Sequence, residues 1–406
     1  MAKYNYKRDV FKGLTPFPFL GEVKTRIKNI EAASTEFPKS IYNPNILAAK
    51  LHPHYQFAKV AEVEDQPDAK VFTLVADESK GTESLAYFRA GQYISVLLDI
   101  DGAKVTKPYT LAGSPKAALG DENTSYTIMI KKAAEGYASE FILNNWKKDT
   151  EVVISGPLGH YYYQGLRDAG KVVAAAGGSG ITPFISMARA ISDGIDDYEL
   201  TILFGSKTEK DIAFKKELDE ISAASNGRVK VVHVLSDEKK DGYENGFITA
   251  ELIKKYAEAD DYSLFVCGNK NFYSFMHGEV AKLGLPGRRV RFEVPGEFGD
   301  PSQDPAYKGD AAAEYTVTLL IRGEETEIKC QGGETLLHAI QAAGIMVTSD
   351  CRSGMCGWCH SRLIMGDVFI PEDHDGRRAA DKKFGWIHPC ATYPMSDIKM
   401  EVFPIM

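Results

Sequence analysis

The chain has 406 residues, of which 44% are hydrophobic and 26% charged, enough for roughly two to four domains with buried cores. Its formal net charge of −8 argues against a nucleic-acid-binding protein, because such proteins normally present a basic face. The basic N-terminal stretch contains no apolar run of signal-peptide length. The uncharged run between Lys171 and Arg189 contains Gly-Gly-Ser-Gly and a proline, which favours a strand, turn and helix over a membrane span. We therefore expect a cytoplasmic protein without a membrane-spanning helix.

Residues 1–50 show no clear hydrophobic period, and four prolines interrupt them. The sequence predicts that this part is an N-terminal extension lying over a neighbouring domain. From residue 51 to residue 165 the pattern changes to short runs rich in Val, Ile, Tyr and Leu with turns between them. Many short strands at this spacing favour an antiparallel β-barrel. The clearest predicted strands are Lys70–Ala76, Gln92–Asp99, Tyr126–Lys131 and Glu151–Ser155.

Residues 166–298 alternate apolar runs with helical patterns, beginning with KVVAAAGGSGITPFISMARAI. Strands that alternate with helices predict an α/β domain built on a parallel sheet. Residues 299–313 are polar and rich in Pro and Ala, and this composition is typical of a linker. Residues 314–406 begin with a predicted hairpin, YTVTLLIRGEETEIKC, which is followed by a predicted helix, TLLHAIQAAG.

The strongest chemical signal is the pattern C-x4-C-x2-C formed by Cys351, Cys356 and Cys359, with a fourth cysteine at Cys390. This spacing is the plant-type [2Fe-2S] pattern, in which four thiolates converge on a small volume. Four thiolates also suit zinc, but zinc ribbons prefer paired C-x2-C knuckles. The first gap of four residues therefore favours the iron–sulfur cluster. Cys330 lies outside the pattern, and we expect it to be a small buried residue.

Over its whole length the segment 314–406 resembles the plant-type ferredoxin domain, including DCRSGMCGWC and the later PCATYP. The resemblance implies an α+β β-grasp fold. It also implies that Cys351, Cys356 and Cys359 lie in the loop after the helix and that Cys390 completes the cluster site.

Two motifs in the first half resemble the flavin-binding elements of the ferredoxin–NADP reductase family. KPYTLAGSP is similar to that family's R-x-Y-[ST] strand, and EGYAS is similar to its G-x-x-S turn. The resemblance implies that Tyr109 stacks on the flavin ring and that Thr110 lies near its reactive N5. Lys107 stands where the family usually has an arginine that grips the flavin phosphate, and lysine lacks the bidentate fork. By the same resemblance, the flavin pyrophosphate would meet a helix N-terminus formed by Gly136, Tyr137, Ala138 and Ser139.

The motif GGSGITP follows a predicted strand and opens a predicted helix, which is the context that a nucleotide-binding turn requires. Glycines let the backbone approach a pyrophosphate closely, and the helix dipole favours its negative charge. The same glycines also suit an ordinary tight turn. The form with Ile-Thr-Pro resembles the nicotinamide motif of the reductase family, which implies nucleotide binding by Gly177, Gly178, Gly180, Thr182 and Pro183.

Three later segments extend this resemblance. FGSKTEKDIAF implies that Ser206 and Lys207 lie beside the adenosine ribose 2′-phosphate, and it leaves NADH and NADPH nearly even. Lys207 equally suits a solvated surface charge. FVCGN implies that Cys267 and Gly268 lie beside the nicotinamide, with Cys267 near the hydride path rather than acting as a nucleophile. RFEVPGEF resembles the segment that closes over the flavin, which implies contacts from Phe292 and Glu293.

The order flavin, nicotinamide and ferredoxin is similar to that of the phthalate dioxygenase reductase and phenylacetyl-CoA epoxidase reductase types. The former uses FMN and the latter FAD, and the habit of the wider family favours FAD here. The resemblance implies that NADH or NADPH gives hydride to the flavin, beside Tyr109, Thr110 and Cys267. Single electrons then pass through the cluster to a partner protein, either an oxygenase or another metalloenzyme. The alternative is a non-enzymatic redox sensor or electron carrier that docks a partner.

Overall fold

The structure is a computed structural model that describes residues 20–32, 42–120, 123–132, 136–259, 261–293 and 296–403. The chain divides into two compact units, Met1–Ala48 and Ala49–Met406. Helices α1 and α2 span Leu20–Ala32 and Asn43–Leu51. Much of the predicted extension lies outside the described residues, and its position over a neighbouring domain stays a prediction.

A six-stranded antiparallel barrel begins the second unit. Its strands follow the order β4-β3-β6-β1-β2-β5. The sheet closes on itself immediately after β4, where Leu111 pairs with Ile128 on β5. Alternating apolar side chains fill the interior, because successive residues of a strand point to opposite faces. The elements of this region are β1 Tyr55–Gln66, β2 Ala69–Ala76, β3 Tyr93–Ile100, β4 Ala103–Thr110, β5 Ser125–Lys131, helix α3 Tyr137–Asn145 and β6 Glu151–Ser155.

A parallel six-stranded sheet with flanking helices follows the barrel. Two of these helices begin at a side-chain cap; in one of them the Asn269 side chain accepts a hydrogen bond from the N–H of Phe272 at 2.9 Å. The elements are β7 Lys171–Gly177, α4 Thr182–Ser192, β8 Glu199–Ser206, α5 Lys215–Ala224, β9 Val229–Leu235, β10 Glu244–Asn245, α6 Ala250–Ala257, β11 Ser263–Cys267, α7 Lys270–Ala281 and β12 Val290–Phe292.

The strand order of this sheet is β10-β9-β8-β7-β11-β12, so the chain reverses its direction across the sheet between β7 and β11. Open α/β sheets bind ligands at such a reversal, outside the carboxyl ends of the strands. Here those ends are Gly177 and Cys267. The topology therefore brings together two motifs that lie ninety residues apart in the chain.

The last part of the chain forms a mixed five-stranded sheet of order β14-β13-β19-β15-β17, with helix α8 packed on it. The hairpin turn between β13 and β14 is Arg322-Gly323, and both residues have positive φ, as a type I′ turn requires. The elements are β13 Glu314–Ile321, β14 Glu324–Gln331, α8 Leu336–Ala342, β15 Ser361–Met365, β16 Val368–Phe369, α9 Ala379–Lys383, β17 Trp386–Ile387, β18 Tyr393–Pro394 and β19 Ile398–Glu401.

The iron–sulfur segment packs directly against the barrel. The Ser95 hydroxyl on β3 donates a hydrogen bond to the carbonyl of Asp350 at 3.1 Å, immediately before the first cysteine of the loop. The Tyr393 hydroxyl donates to the carbonyl of Gly299 at 2.7 Å. These contacts hold the cysteine loop beside the strands that carry the predicted flavin residues. Among the helices of the described part of the chain, none is long and apolar enough to cross a membrane.

Candidate redox site

The four cysteines of the predicted cluster come together in one loop and one short turn. Cys351, Cys359 and Cys390 are buried, Cys356 is exposed, and all four are free thiols. The sulfur atoms of Cys359 and Cys390 lie 3.3 Å apart. Within the described residues no group of three or more His, Cys, Asp or Glu is arranged to hold a single metal ion. A [2Fe-2S] cluster differs from such a site because its four cysteines are divided between two irons.

Backbone N–H groups of the loop point at the sulfur atoms. The N–H of Gly354 donates to Cys390 Sγ at 3.2 Å, and the N–H of Cys356 donates to Cys351 Sγ at 3.4 Å. Hydrogen bonds from Cys356 and Cys390 lower the pKa of the Cys351 thiol. Since a cluster ligand must be a thiolate, a cage of inward-pointing N–H groups fits an iron–sulfur cluster.

The loop is able to close because its tightest positions tolerate left-handed backbone. Gly354 and Gly357 have φ of 78° and 73°. A Cβ at Gly354 would lie 1.9 Å from the carbonyl oxygen of His374, so no other residue fits there without displacing the backbone. The glycines of CRSGMCGWC are therefore needed for the left-handed turns of the loop, and Gly354 is also needed for the close approach of the His374 carbonyl.

The predicted flavin residues lie at the end of β4, on the side of the barrel that faces the cysteine loop. Tyr109 pairs with Ile94 on β3 and lies largely within the protein, and burial raises the pKa of its phenol. Lys107 Nζ donates to Glu297 Oε2 at 2.8 Å. Helix α3 begins after Gly136, where the sequence predicted a helix start, and the Ser139 hydroxyl donates to the carbonyl of Gly136 at 3.0 Å.

A cavity of about 830 Å³ separates these flavin residues from the iron–sulfur segment; we call it the junction cavity. Its volume lies in the range of cofactor pockets. The barrel contributes Val105, Lys107, Tyr109 and Gly136–Ser139, and the other wall includes Glu297, Gln331, Glu334, Thr335, His338, Arg352 and Tyr393. The lysine, the helix start and the volume together fit a flavin with its phosphate.

The glycines of the nucleotide motif are required by close packing at the strand reversal. A Cβ at Gly180 would lie 2.1 Å from the carbonyl oxygen of Cys267, and one at Gly268 would lie 2.3 Å from the ring of Phe272. Gly178 has φ of 55°. Thr182 is buried at the start of α4, and its hydroxyl donates to the carbonyl of Ser179 at 2.7 Å. Pro183 is buried in the first turn of the same helix.

A second cavity, of about 310 Å³, is lined by residues from the predicted flavin, nicotinamide and cluster sites; we call it the redox cavity. Tyr109 and Thr110 of the flavin strand line it, as do Thr182 and Cys267 of the nucleotide domain. Cys351, the first predicted cluster ligand, lines the same cavity. Burial, followed by the nearby carboxylate Glu293, raises the pKa of the Cys267 thiol, which therefore stays protonated. This protonated state agrees with a packing role rather than a nucleophilic one.

Ser206 and Lys207 do not line the redox cavity. They lie at and just beyond the carboxyl end of β8, where the Lys207 carbonyl accepts a hydrogen bond from the N–H of Asp237 at 2.9 Å. Their predicted contact with an adenosine ribose stays a prediction. Of the two residues expected from the closing segment, Glu293 lines the redox cavity, whereas Phe292 stacks on His277 with ring centroids 4.2 Å apart.

Comparison with known proteins assigns a domain to each of these regions in the same order. The family described as "Oxidoreductase FAD-binding domain" matches residues 62–163, and "Oxidoreductase NAD-binding domain" matches residues 175–278. The "2Fe-2S iron-sulfur cluster binding domain" matches residues 319–395. A relative named NADH-cytochrome b5 reductase 1, from Candida glabrata, is 31% identical over 202 residues, which are 48% of this chain and 68% of that protein.

The chain belongs to the ferredoxin–NADP reductase family of flavoproteins and carries a C-terminal [2Fe-2S] domain.

Two relatives of this reductase align with it over nearly their whole length. The glycine betaine monooxygenase reductase subunit of Chromohalobacter salexigens is 25% identical over 382 residues, covering 89% of this chain and 99% of that protein. The ferredoxin reductase component of 3-ketosteroid-9-alpha-monooxygenase from Rhodococcus rhodochrous is 29% identical over 351 residues, covering 84% and 95%.

The fold of the reductase matches that of a solved structure, phthalate dioxygenase reductase. The two superpose with a TM-score of 0.60 at 22% identity, over 86% of this chain and 98% of the other. The predicted arrangement of an antiparallel flavin barrel, a parallel nucleotide sheet and a C-terminal iron–sulfur domain is therefore confirmed. The predicted boundaries of these domains were not tested and stay predictions.

This protein is an NAD(P)H-dependent flavin and iron–sulfur reductase, as predicted. A flavin held beside Tyr109 and Thr110 would supply hydride acceptance and one-electron release, and a [2Fe-2S] cluster held by the four cysteines would supply one-electron transfer. The chain itself supplies the redox cavity, the left-handed turns of the cysteine loop and the N–H groups that favour thiolate.

Two charged residues of the site were missed at the level of sequence. Glu297 bridges the barrel and the iron–sulfur segment, because it accepts hydrogen bonds from both Lys107 and Arg352. The replacement of the family arginine by Lys107 was the available signal, because lysine keeps the charge but lacks the bidentate fork. Arg352, directly after Cys351, could not be linked to Lys107 without the fold.

Proposed function

We propose that this reductase is the electron-supplying component of a multi-component oxygenase system, taking hydride from NADH or NADPH and giving single electrons to a separate oxygenase protein. The observation that carries the proposal is the composition of the redox cavity. Residues predicted to contact flavin, nicotinamide and cluster all line one space of about 310 Å³. A cluster ligand in the same wall as the hydride site suits the rapid removal of electrons.

Both full-length relatives are named as components of monooxygenases, and this supports an oxygenase as the partner. In this proposal Tyr109 and Thr110 contact the flavin, and Gly177, Gly180 and Thr182 seat the nucleotide. Cys267 and Gly268 pack beside the nicotinamide, while Cys351, Cys356, Cys359 and Cys390 bind the two irons. The domains would run from 51 to 165, from 166 to 298 and from 314 to 406.

The test uses anaerobically purified protein with its iron, sulfide and flavin content measured. NADH and NADPH are each titrated against the visible absorbance, and turnover is then followed with ferricyanide and with cytochrome c. We expect one of the two nucleotides to bleach flavin and cluster absorbance together and to support turnover with both acceptors. Loaded protein that neither nucleotide reduces would exclude the proposal.

The same preparation separates the reductase from the alternative of a redox sensor or carrier. A sensor would be reduced, but it would turn over negligibly with added acceptors. Elemental analysis gives a further check, because a zinc site would contain one zinc and no labile sulfide, whereas the cluster contains two irons and two sulfides.

A further inference from the structure

Two cations from distant parts of the chain enter the junction cavity and share one carboxylate. Lys107 lies on β4 of the barrel, and its Nζ is 2.8 Å from Glu297 Oε2. Arg352 lies in the cysteine loop, and its Nε donates to Glu297 Oε1. The Arg352 guanidinium also donates from Nη1 to the side-chain oxygen of Gln341 at 2.5 Å.

The charges at this point do not balance. The side chain of Arg352 is only 5% exposed and that of Lys107 only 25% exposed, and the single carboxylate of Glu297 leaves one positive charge in excess. The other carboxylate in the cavity wall, Glu334, lies 2.7 Å from His338 and contacts neither cation. Buried excess charge is unfavourable unless another ion compensates it. The cavity is therefore built to receive an anion.

The barrel wall of the cavity, which also carries Lys107, has a second feature that favours an anion. Helix α3 starts there, and its N-cap residue, Gly136, has no side chain that could satisfy the first-turn N–H groups. Those N–H groups and the helix dipole attract negative charge. Burial, with the neighbouring Arg352 as the second cause, lowers the pKa of Lys107, which fits a cation that lacks full compensation.

We propose that Arg352 binds the phosphate of the flavin together with Lys107. The inference rests on the proposed function only in that the chain binds a flavin. Lysine at position 107 supplies charge but no planar fork, and Arg352 supplies the fork from the iron–sulfur segment. Glu297 holds both cations in the wall of the junction cavity. The flavin site is thus completed by the domain that receives its electrons, and the phosphate contact is one residue away from cluster ligand Cys351.

The experiment compares three flavins that differ at the phosphate. FAD contains a pyrophosphate, FMN a phosphate, and riboflavin neither. Protein that has been stripped of flavin but retains two irons and two sulfides is titrated with each flavin, and binding is followed by quenching of flavin fluorescence. The variants are Arg352→Gln and Arg352→Lys. The control is Arg362→Gln, because Arg362 is an exposed arginine of the same segment that does not line the junction cavity.

For Arg352→Gln we expect the Kd of FAD and FMN to rise about 10- to 100-fold, the usual effect of a lost charge-assisted hydrogen bond. The Kd of riboflavin should stay within about twofold, because riboflavin makes no phosphate contact. Arg352→Lys keeps the charge but loses the fork, so its effect on FAD and FMN should be smaller, about 3- to 10-fold. Arg362→Gln should bind all three flavins like the wild type.

The proposal is overturned if Arg352→Gln weakens riboflavin as much as FMN, because Arg352 would then only support the shape of the site. It is equally overturned if no flavin loses affinity. Should the glutamine variant fail to retain its cluster, the lysine variant carries the same comparison between FMN and riboflavin. Wild-type protein that binds none of the three flavins would instead refute the proposed function.

Discussion

The redox cavity and the junction cavity are both lined by Tyr109, and they are built in different ways. Hydroxyl, thiol and backbone groups from neighbouring strand ends line much of the redox cavity, and steric packing determines its shape. The junction cavity is more than twice as large, and charges from three segments meet in it, namely Lys107, Glu297 and Arg352. The shape of the redox cavity depends on close packing, whereas the properties of the junction cavity depend on the charges that meet in it.

This difference indicates which substitutions each kind of site tolerates. Packing at the strand reversal is local and stiff, so a single added methyl group should disturb the nucleotide domain. The junction cavity lies between the barrel and the iron–sulfur segment. Changes to its charged residues should therefore alter flavin affinity and the docking of that segment more than folding stability. The predictions below test this contrast from the largest expected effect to the smallest.

Removal of a cluster ligand should have the largest effect. Cys390→Ser replaces a buried thiol that accepts the N–H of Gly354. We expect iron and sulfide to fall below about a tenth of the wild-type content and cytochrome c reduction to fall at least about 100-fold. The control is Cys330→Ala, another buried cysteine, which should retain both. Equal losses of iron, sulfide and activity in the two variants would contradict the assignment of Cys390 as a cluster ligand.

Gly180→Ala tests the stiff side of the comparison. Its Cβ would lie 2.1 Å from the Cys267 carbonyl, so the ends of β7 and β11 must move apart. We expect a loss of about 2–3 kcal/mol in unfolding free energy and a raised KM for the nucleotide. Gly170→Ala is the matched control, since nothing lies near its Cβ, and it should change stability by less than about 0.5 kcal/mol. Thermal melting and steady-state kinetics measure both effects.

Phe298→Ala tests the junction between domains. The Phe298 ring packs edge-on against His374 at 5.2 Å, and Lys270 of the nucleotide domain lies 4.2 Å from its centroid. We expect a loss of about 1 kcal/mol, with slower electron delivery to cytochrome c than to ferricyanide. Phe384→Ala, at an exposed ring away from this junction, should leave the ratio of the two rates unchanged. If the ratio of the cytochrome c rate to the ferricyanide rate shifted in both variants, the proposed role of Phe298 between the domains would be contradicted.

The smallest effect concerns pH. Burial lowers the pKa of His374, whose Nε2 donates to the carbonyl of Gly296 at 3.0 Å. The unfolded chain therefore takes up a proton more readily than the folded chain as pH falls below the ordinary histidine range. Stability from this residue is present above that range and is lost on acidification. We expect His374→Asn to reduce the drop in melting temperature between pH 7 and pH 5. An unchanged drop would show that His374 does not contribute.

The nucleotide turn and the cysteine loop were predictable because each is determined by one short, contiguous sequence motif. GGSGITP specifies both its own turn and the close contact with Cys267, and C-x4-C-x2-C specifies a cage with three ligands in nine residues. The strand lengths followed in the same way from alternation; β6 spans Glu151–Ser155, as predicted.

The junction cavity was not predictable, because its charges come from positions 107, 297 and 352, and no local pattern joins them. Their meeting depends on how the iron–sulfur segment docks on the barrel, which is decided by scattered contacts such as Ser95 with Asp350. Phe292 illustrates the same limit. Its motif gave no sign that the ring stacks on that of His277 on α7, and its suggested flavin contact stays a prediction.

The four cysteines differ in one respect: Cys356 reaches the surface, between the exposed side chains of Met355 and Trp358, while Cys351 faces the interior. With a cluster bound as proposed, electrons arriving beside buried Cys351 would have an exposed ligand, Cys356, from which to leave. A nucleotide could remain seated while an acceptor rests on Cys356, so the two need not compete for one surface. Steady-state kinetics with a protein acceptor should accordingly follow a ternary-complex pattern rather than a strictly alternating one.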